Sequence, residues 1–192
     1  MVEALGSLST AFGLSGSAGL NAYIPLLLVA LAGRFPLSDP LIKLQAPYDL
    51  LGSWWAIGIL AVLLVIEIVA DKIPAVDTVN DTIQTFVRPA AGAILFAGST
   101  SVATDIHPIL TLGAGLLVAG GVHATKTAAR PVVTVSTAGV GNPIVSTLED
   151  IAALVMSLLA IFIPVLAALL LITLLVVVIY VIRRWRRRKM VV

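Results

Sequence analysis

The chain has no cysteine, only two histidines and few charged residues. Without cysteine there is no disulfide, no thiolate metal site and no cysteine nucleophile, and the redox compartment leaves no mark on the sequence. Charged residues make up 11% of the 192 positions, against about 25% in an average soluble domain. Hydrophobic residues make up 59%, so the composition is that of an integral membrane protein. No Walker-type phosphate loop is present, which argues against ATP hydrolysis in this chain. No HExxH or comparable ligand spacing marks a zinc enzyme. Neither a metal, a cofactor nor an enzymatic activity is expected, since no nucleophile and base stand together. The amino end carries Glu3 instead of a basic stretch, so no signal peptide is expected and the first apolar segment should be retained.

The apolar runs cover residues 5–31, 54–69, 89–98, 108–122 and 151–182, and a spanning helix needs about 20 residues. The expected fold is all-α: a polytopic membrane helix bundle of about five or six transmembrane or re-entrant segments. Residues 1–182 form its single transmembrane domain, and residues 183–192 a basic tail. The run 151–182 would reach ~48 Å as one helix, so it either tilts and protrudes or breaks at Pro164. Leu63-Leu64-Val65 can be laid on Leu116-Leu117-Val118, a thin hint of a possible internal repeat of the kind transporters use.

Of the 12 Lys and Arg, six lie between Arg183 and Lys189, which leaves six against ten carboxylates elsewhere. Such a tail directly after an apolar run places the carboxyl end in the cytoplasm and touches anionic lipid, so no nucleic acid is expected as a partner. Residues 34–51 carry three prolines and mixed charges and read as a loop or short interfacial helix. Residues 74–88 read as an amphipathic helix, with Val76, Val79, Ile83 and Phe86 on one side and Asp77, Asn80, Asp81, Gln84 and Arg88 on the rest. It lies at the interface or lines a wet cavity. Asp105 and His107 are a solvated turn or a small metal or proton site.

Two breaks interrupt the apolar pattern. Gly16 and Gly19 precede Asn21, and Gly139 and Gly141 precede Asn142. Each Asn is a good helix N-cap, so helices broken at Asn21 and Asn142 would aim unsatisfied N–H groups at an internal polar site. The alternative is that the glycines serve close packing or surface loops. Glu67 lies ~8 Å from the midplane of its span, inside a hydrocarbon core ~30 Å thick, and must therefore face protein or water. Asp71 follows one turn later. With Asp77 and Asp81, these carboxylates could bind a hard cation, relay protons, or form a rim paired to Lys72 and Arg88. His123, Lys126 and Arg130 share one helical face, beside Asn142, Ser146, Glu149 and Asp150. That basic stripe could hold an anionic group or pair with the acidic hairpin.

These motifs give the chain its resemblance to a bacterial integral membrane family, the domain-of-unknown-function family numbered 4126. They are Gly19-Leu20-Asn21-Ala22-Tyr23 with Gly33-Arg34, the stretch from Glu67 through Asp71 and Pro74 to Asp77, that from His123 through Lys126 to Arg130, and Asn142 to Asp150 with Ser146 and Glu149. The resemblance covers residues 11 to about 164 and implies a bacterial cytoplasmic membrane location and a shared polar site. It implies no reaction and no substrate.

The expected function is a small transporter or channel-like protein for a small ion or polar solute. Its site is Asn21, Glu67, Asp71, Asp77, His123, Lys126, Arg130, Asn142, Ser146, Glu149 and Asp150, with the bilayer as a partner and a homodimer as a way to enlarge the path. The alternatives are a lipid scramblase or flippase, and a non-transporting assembly or regulatory partner.

Overall fold

In the computed structural model the backbone is helical. The structure describes residues 2–35, 44, 46–99 and 107–189, and among these are seven α-helices, one 3-10 turn and no strand. The helices are α1 (Val2–Ala18), α2 (Tyr23–Arg34), α3 (Trp54–Ala70), α4 (Pro74–Ser99), α5 (Pro108–Thr137), α6 (Asn142–Phe162) and α7 (Pro164–Lys189), with the 3-10 turn at Tyr48–Gly52. Of the proline-rich stretch, residues 36–43 and 45 lie outside the described residues.

Proline sets several of these boundaries, because it fits the first turn of a helix and cannot supply an interior N–H. It opens α4, α5 and α7, and is the second residue of α6. The long run 151–182 accordingly divides between Phe162 and Pro164. Ser53 caps α3, its hydroxyl accepting the Ala56 N–H at 3.2 Å. One expectation changes: the amphipathic stretch 74–88 and the apolar run after it are one helix, which continues through Pro89. Helix α5 runs through Pro131 to Thr137, so the basic stripe lies on one helix as its spacing predicts. Leu63-Leu64-Val65 falls late in α3, whereas Leu116-Leu117-Val118 falls in the first half of the much longer α5. The two segments of the suggested repeat thus hold different places in their helices.

Helix α1 is the centre of the bundle and packs against α4, α5, α6 and α7. Small residues and serines make this possible. Phe12 meets Phe96 edge to face at 5.0 Å, and the Ser15 hydroxyl donates to the Gly92 carbonyl at 2.8 Å. Ser17 donates to the Ala153 carbonyl and lies 2.7 Å from the Ser157 hydroxyl. These pairings run α4 and α6 antiparallel to α1, while α7 runs alongside it, with Ala167 against Gly13 and Leu171 against Gly16.

Helix α2 turns back. Its Gly33 packs on Leu44, which with Tyr48 reaches Gly98 near the end of α4. Helices α1 and α2 therefore form a hairpin whose tip, residues 19–22, points into the bundle. Arg34 sits 5.1 Å above the Trp54 ring and ties the open end of this hairpin to the start of α3.

The outside of the bundle is apolar. Trp55, Ile59, Val62 and Ile66 on α3, Leu117 on α5, Ile151 and Val155 on α6, and Leu169 and Ile172 on α7 are all exposed. Helices α5 and α6 are long and apolar enough to cross a membrane, and three further apolar segments, Tyr23–Arg34, Trp54–Ala70 and Pro164–Tyr180, are shorter.

The tightest approach is between α4 and α5. A Cβ at Gly92 would strike the Ala119 side chain and lie 2.8 Å from the Gly115 carbonyl oxygen, whereas one at Gly113 meets nothing within 4 Å. Gly92→Leu should therefore cost about 1–3 kcal/mol or more through overpacking. Gly113→Ala should leave stability unchanged, and unfolding of the two purified variants in detergent measures the contrast.

Candidate functional site

The helix break at residues 19–22 leaves backbone groups without helical partners, and side chains from distant segments supply them. The Asn21 side-chain oxygen accepts the N–H groups of Tyr23 and Ile24 at 3.0 and 3.1 Å. The freed Leu20 carbonyl takes a hydrogen bond from Lys126 Nζ at 3.2 Å. The Asn21 amide donates to Asp150 Oδ1 at 2.9 Å. Asp150 is the ninth of the 21 residues of α6, about 12 Å from its start at ~1.5 Å per residue. The break at Asn21 is thus level with the interior of α6, and Asn21 itself is completely buried.

Asn142 is different. It is the first residue of α6, and its side-chain oxygen accepts from the Thr134 hydroxyl at 3.1 Å instead of capping its own helix. The preceding turn is made by Ala138 and Gly139 in left-handed conformation, φ 51° and 84°, and it simply joins α5 to α6 at the end of the bundle. The expected second internal break is therefore a terminal helix–helix turn. Unbroken α5 places the turn beyond the basic stripe.

Between these levels lies a buried polar cluster built by α3, α4, α5 and α6 around the hairpin tip. Its inner part centres on Arg88, which is 0% exposed and pairs through Nη2 with Glu67 Oε1 at 3.0 Å; Glu67 is 1% exposed. Arg88 Nη1 lies 3.2 Å from His123 Nδ1, and His123 Nε2 lies 3.2 Å from the Thr85 hydroxyl. Because guanidinium only donates, Nδ1 is the accepting nitrogen and the ring proton is assigned to Nε2. The outer part centres on Arg130, with Asp81 at 3.1 Å, Glu149 at 3.2 Å and Asp71 at 3.8 Å. Lys126 joins the two parts, pairing with Glu149 at 2.8 Å. Asp71 also accepts from Asn80 at 2.7 Å and from Ser146 at 3.0 Å.

Ten of the eleven residues expected at the site can be placed. Asn21, Glu67, Asp71, His123, Lys126, Arg130, Ser146, Glu149 and Asp150 come together. Asn142 lines the outer end, and the side chain of Asp77 lies outside the described residues. Asp105 is likewise outside them. His107 instead caps α5, accepting from the Ile109 N–H at 3.3 Å, and Lys72 is exposed.

Arg88, Gln84 and Asp81 were assigned to the polar face of the amphipathic stretch and not to the site, yet they belong to it. The signal was their spacing, since 77, 81, 84 and 88 form one continuous polar stripe. Asp81, Gln84 and Arg88 of that stripe face the bundle, while Val79, Ile83 and Phe86 face outward.

Five carboxylates (Glu67, Asp71, Asp81, Glu149, Asp150) meet three cations (Arg88, Lys126, Arg130) in this cluster. Among the described residues, four buried side-chain atoms have no hydrogen-bond partner: Glu67 Oε2, Asp81 Oδ1, Gln84 Oε1 and Arg88 Nε. An open groove of about 550 Å³ leads to the cluster, lined by Asp81, Thr85, Thr127, Arg130, Thr134 and Asn142 among others. Among the described residues, no three His, Asp or Glu side chains converge as a metal site would require.

The chain belongs to the family described as Domain of unknown function (DUF4126), which matches residues 8–184. No curated protein and no solved structure matches it.

Breaking the inner pair from one side leaves a buried charge alone. Arg88→Met should destabilise by about 3–5 kcal/mol, and the double variant Glu67→Gln with Arg88→Met should recover most of that loss. Asn21→Ala should cost about 1 kcal/mol for the cap alone. Denaturant unfolding of the purified variants reads all three.

Proposed function

We propose that this member of a family of unknown function is a polytopic membrane protein that transports, or forms a channel-like path for, a small ion or polar solute. The observation that carries the proposal is the inverted helix α4: Gln84 and Arg88 are 2% and 0% exposed, while Phe86 and Ile83 are 77% and 55% exposed. Charge inside and large apolar side chains outside is what a helix does in lipid, where ionisable residues face the bundle or a watered path. In water, such an apolar exterior would be a liability for association.

In this arrangement α3 to α7 make five crossings, and the α1–α2 hairpin enters from one face and ends at Asn21. A re-entrant hairpin whose tip meets buried charge is a common way to build a membrane site, because irregular backbone survives there only when protein or water satisfies it. The basic stretch that ends α7 favours a cytoplasmic carboxyl end in a bacterial inner membrane. The groove and the turns at 71–73 and 138–141 then lie toward the cytoplasm. A homodimer would enlarge the path without changing the site.

Lipid handling is the second proposal, supported by the open groove beside Arg130. Its weakness is chemical. Arg130 and Lys126 already face carboxylates at 2.8–3.8 Å, so a lipid phosphate would have to displace them.

Flux assays in proteoliposomes with ions and small polar solutes separate the alternatives. Wild-type protein should carry at least one of them, and the double variant Glu67→Gln with Arg88→Met, which leaves no buried charge unpaired, should remove most of that flux while remaining folded. Headgroup-dependent lipid exchange without solute flux would favour the lipid proposal. Neither activity, with loss only of a protein partner on mutation, would favour an assembly role. With no native cysteine, a Cys at 142 should react quickly with a membrane-impermeant thiol reagent added on the side of the carboxyl end. A Cys at 21 or 67 should react slowly from either side.

A further inference from the structure

We propose that Glu67 is a proton-binding site, loaded from the groove, and that the proton is the coupling ion of the transport proposed above, on which the coupling part of this inference rests. Three observations converge on it. The first is the unpartnered oxygen: Glu67 Oε2 is buried with no donor, although Oε1 is held by Arg88. One turn before Arg88 on the same face of α4, the buried Gln84 Oε1 also lacks a donor. A carboxylate left with an unmet acceptor in a dry interior is stabilised by gaining a proton, which turns that acceptor into a donor.

The second observation is the imbalance of charge. Among the described residues the cluster holds five carboxylates against three cations, and three of their four unpartnered side-chain atoms are acceptors. An anionic ligand would worsen both. A metal ion would need several converging ligands, and no such set exists among the described residues. A proton needs a single oxygen.

The third is a connection to the outside. Thr85 and Thr127 line the groove, and their hydroxyls lie 3.2 and 3.5 Å from His123 Nε2. The other ring nitrogen faces Arg88, which holds Glu67. The groups that surround Glu67 are Arg88 on α4, Tyr23 on α2, Lys126 on α5 with His123 behind Arg88, and Asp71 just past the end of its own helix. In the loading step a hydronium ion that reaches the cluster from the groove gives its proton to Glu67 Oε2, where an O–H bond forms, and water is left behind; Arg88, which only donates, takes no part in the transfer. The net charge of the cluster rises by one, and the Arg88 pair loses its ionic partner. Release reverses these changes.

Infrared difference spectroscopy between acidic and alkaline pH, on the full chain in lipid nanodiscs, tests the site directly. Wild type should show a carboxylic-acid C=O band on acidification that is absent from Glu67→Gln. It should also be absent from the double variant Glu67→Gln with Arg88→Met, which lacks both buried charges and guards against misfolding of the single variant. No titrating band in wild type, or the same band in both variants, would overturn the site. In proteoliposomes an imposed pH gradient should accelerate solute flux. Flux indifferent to the gradient would overturn the coupling while leaving transport standing. A Glu67 band in a protein that carries no solute would keep the proton site and sink transport.

Discussion

A fully buried guanidinium is the constraint on which the rest of the bundle depends. Arg88 cannot be left alone in a low-dielectric interior, since an uncompensated charge there costs several kcal/mol. Its fork therefore requires an acceptor from α3 on one side and an imidazole from α5 on the other, at 3.0 and 3.2 Å. Those two bonds fix the rotation of α4 about its own axis. Once fixed, the rotation turns Phe86 and Ile83 outward and brings Gly92 against α5, four residues further along. Electrostatics and close packing thus specify the same orientation, which is the kind of agreement across levels that selects one structure.

The same constraint explains why α1 can end where it does. A helix that stops inside the bundle exposes unpaired carbonyls and N–H groups, each costly if left unmet. Here the polar cluster supplies what is missing, with Lys126 on the Leu20 carbonyl and Asn21 on the N–H groups of α2. The hairpin tip and the charged cluster consequently stabilise each other. Serines on α1 extend this upward, anchoring it to α4 and α6 through carbonyl bonds while remaining small enough for close contact.

The sequence carries the helical class, the polar residues and most helix boundaries, because apolar runs, proline and buried charge act locally. Periodicity in 74–88 shows that two faces exist but not which one faces inward. In water Val79 and Phe86 would be the core face, and only the expense of Arg88 beside a small-residue run reverses the assignment. Depth is equally hidden. Asn21 and Asn142 share the same local pattern of glycines before asparagine, yet one is buried in the bundle and the other ends a hairpin, a difference set by the uninterrupted length of α5. Pro89 separates the amphipathic stretch from the apolar run in the sequence, yet it sits inside α4, as Pro131 sits inside α5. The resemblance to a family of unknown function agrees with the matched span but adds no chemistry.

The two halves of the cluster differ in how readily they can change. Among the described residues Arg130 has Asp71 at the end of α3, Asp81 on α4 and Glu149 on α6 within 4 Å, and its side chain borders the open groove. Losing one contact leaves it still paired, and water can cover the remainder, so rearrangement there costs little. Arg88 has a single carboxylate partner and no exposed surface, so its pair changes only when the charge on Glu67 does. For the transport proposed above, this pairing pattern would yield from the groove side first and from the centre second. Motion of α5 and α6 against the hairpin tip is the element that would couple the two, because Lys126 and Asp150 hold the tip from those helices and Glu149 links Lys126 to Arg130.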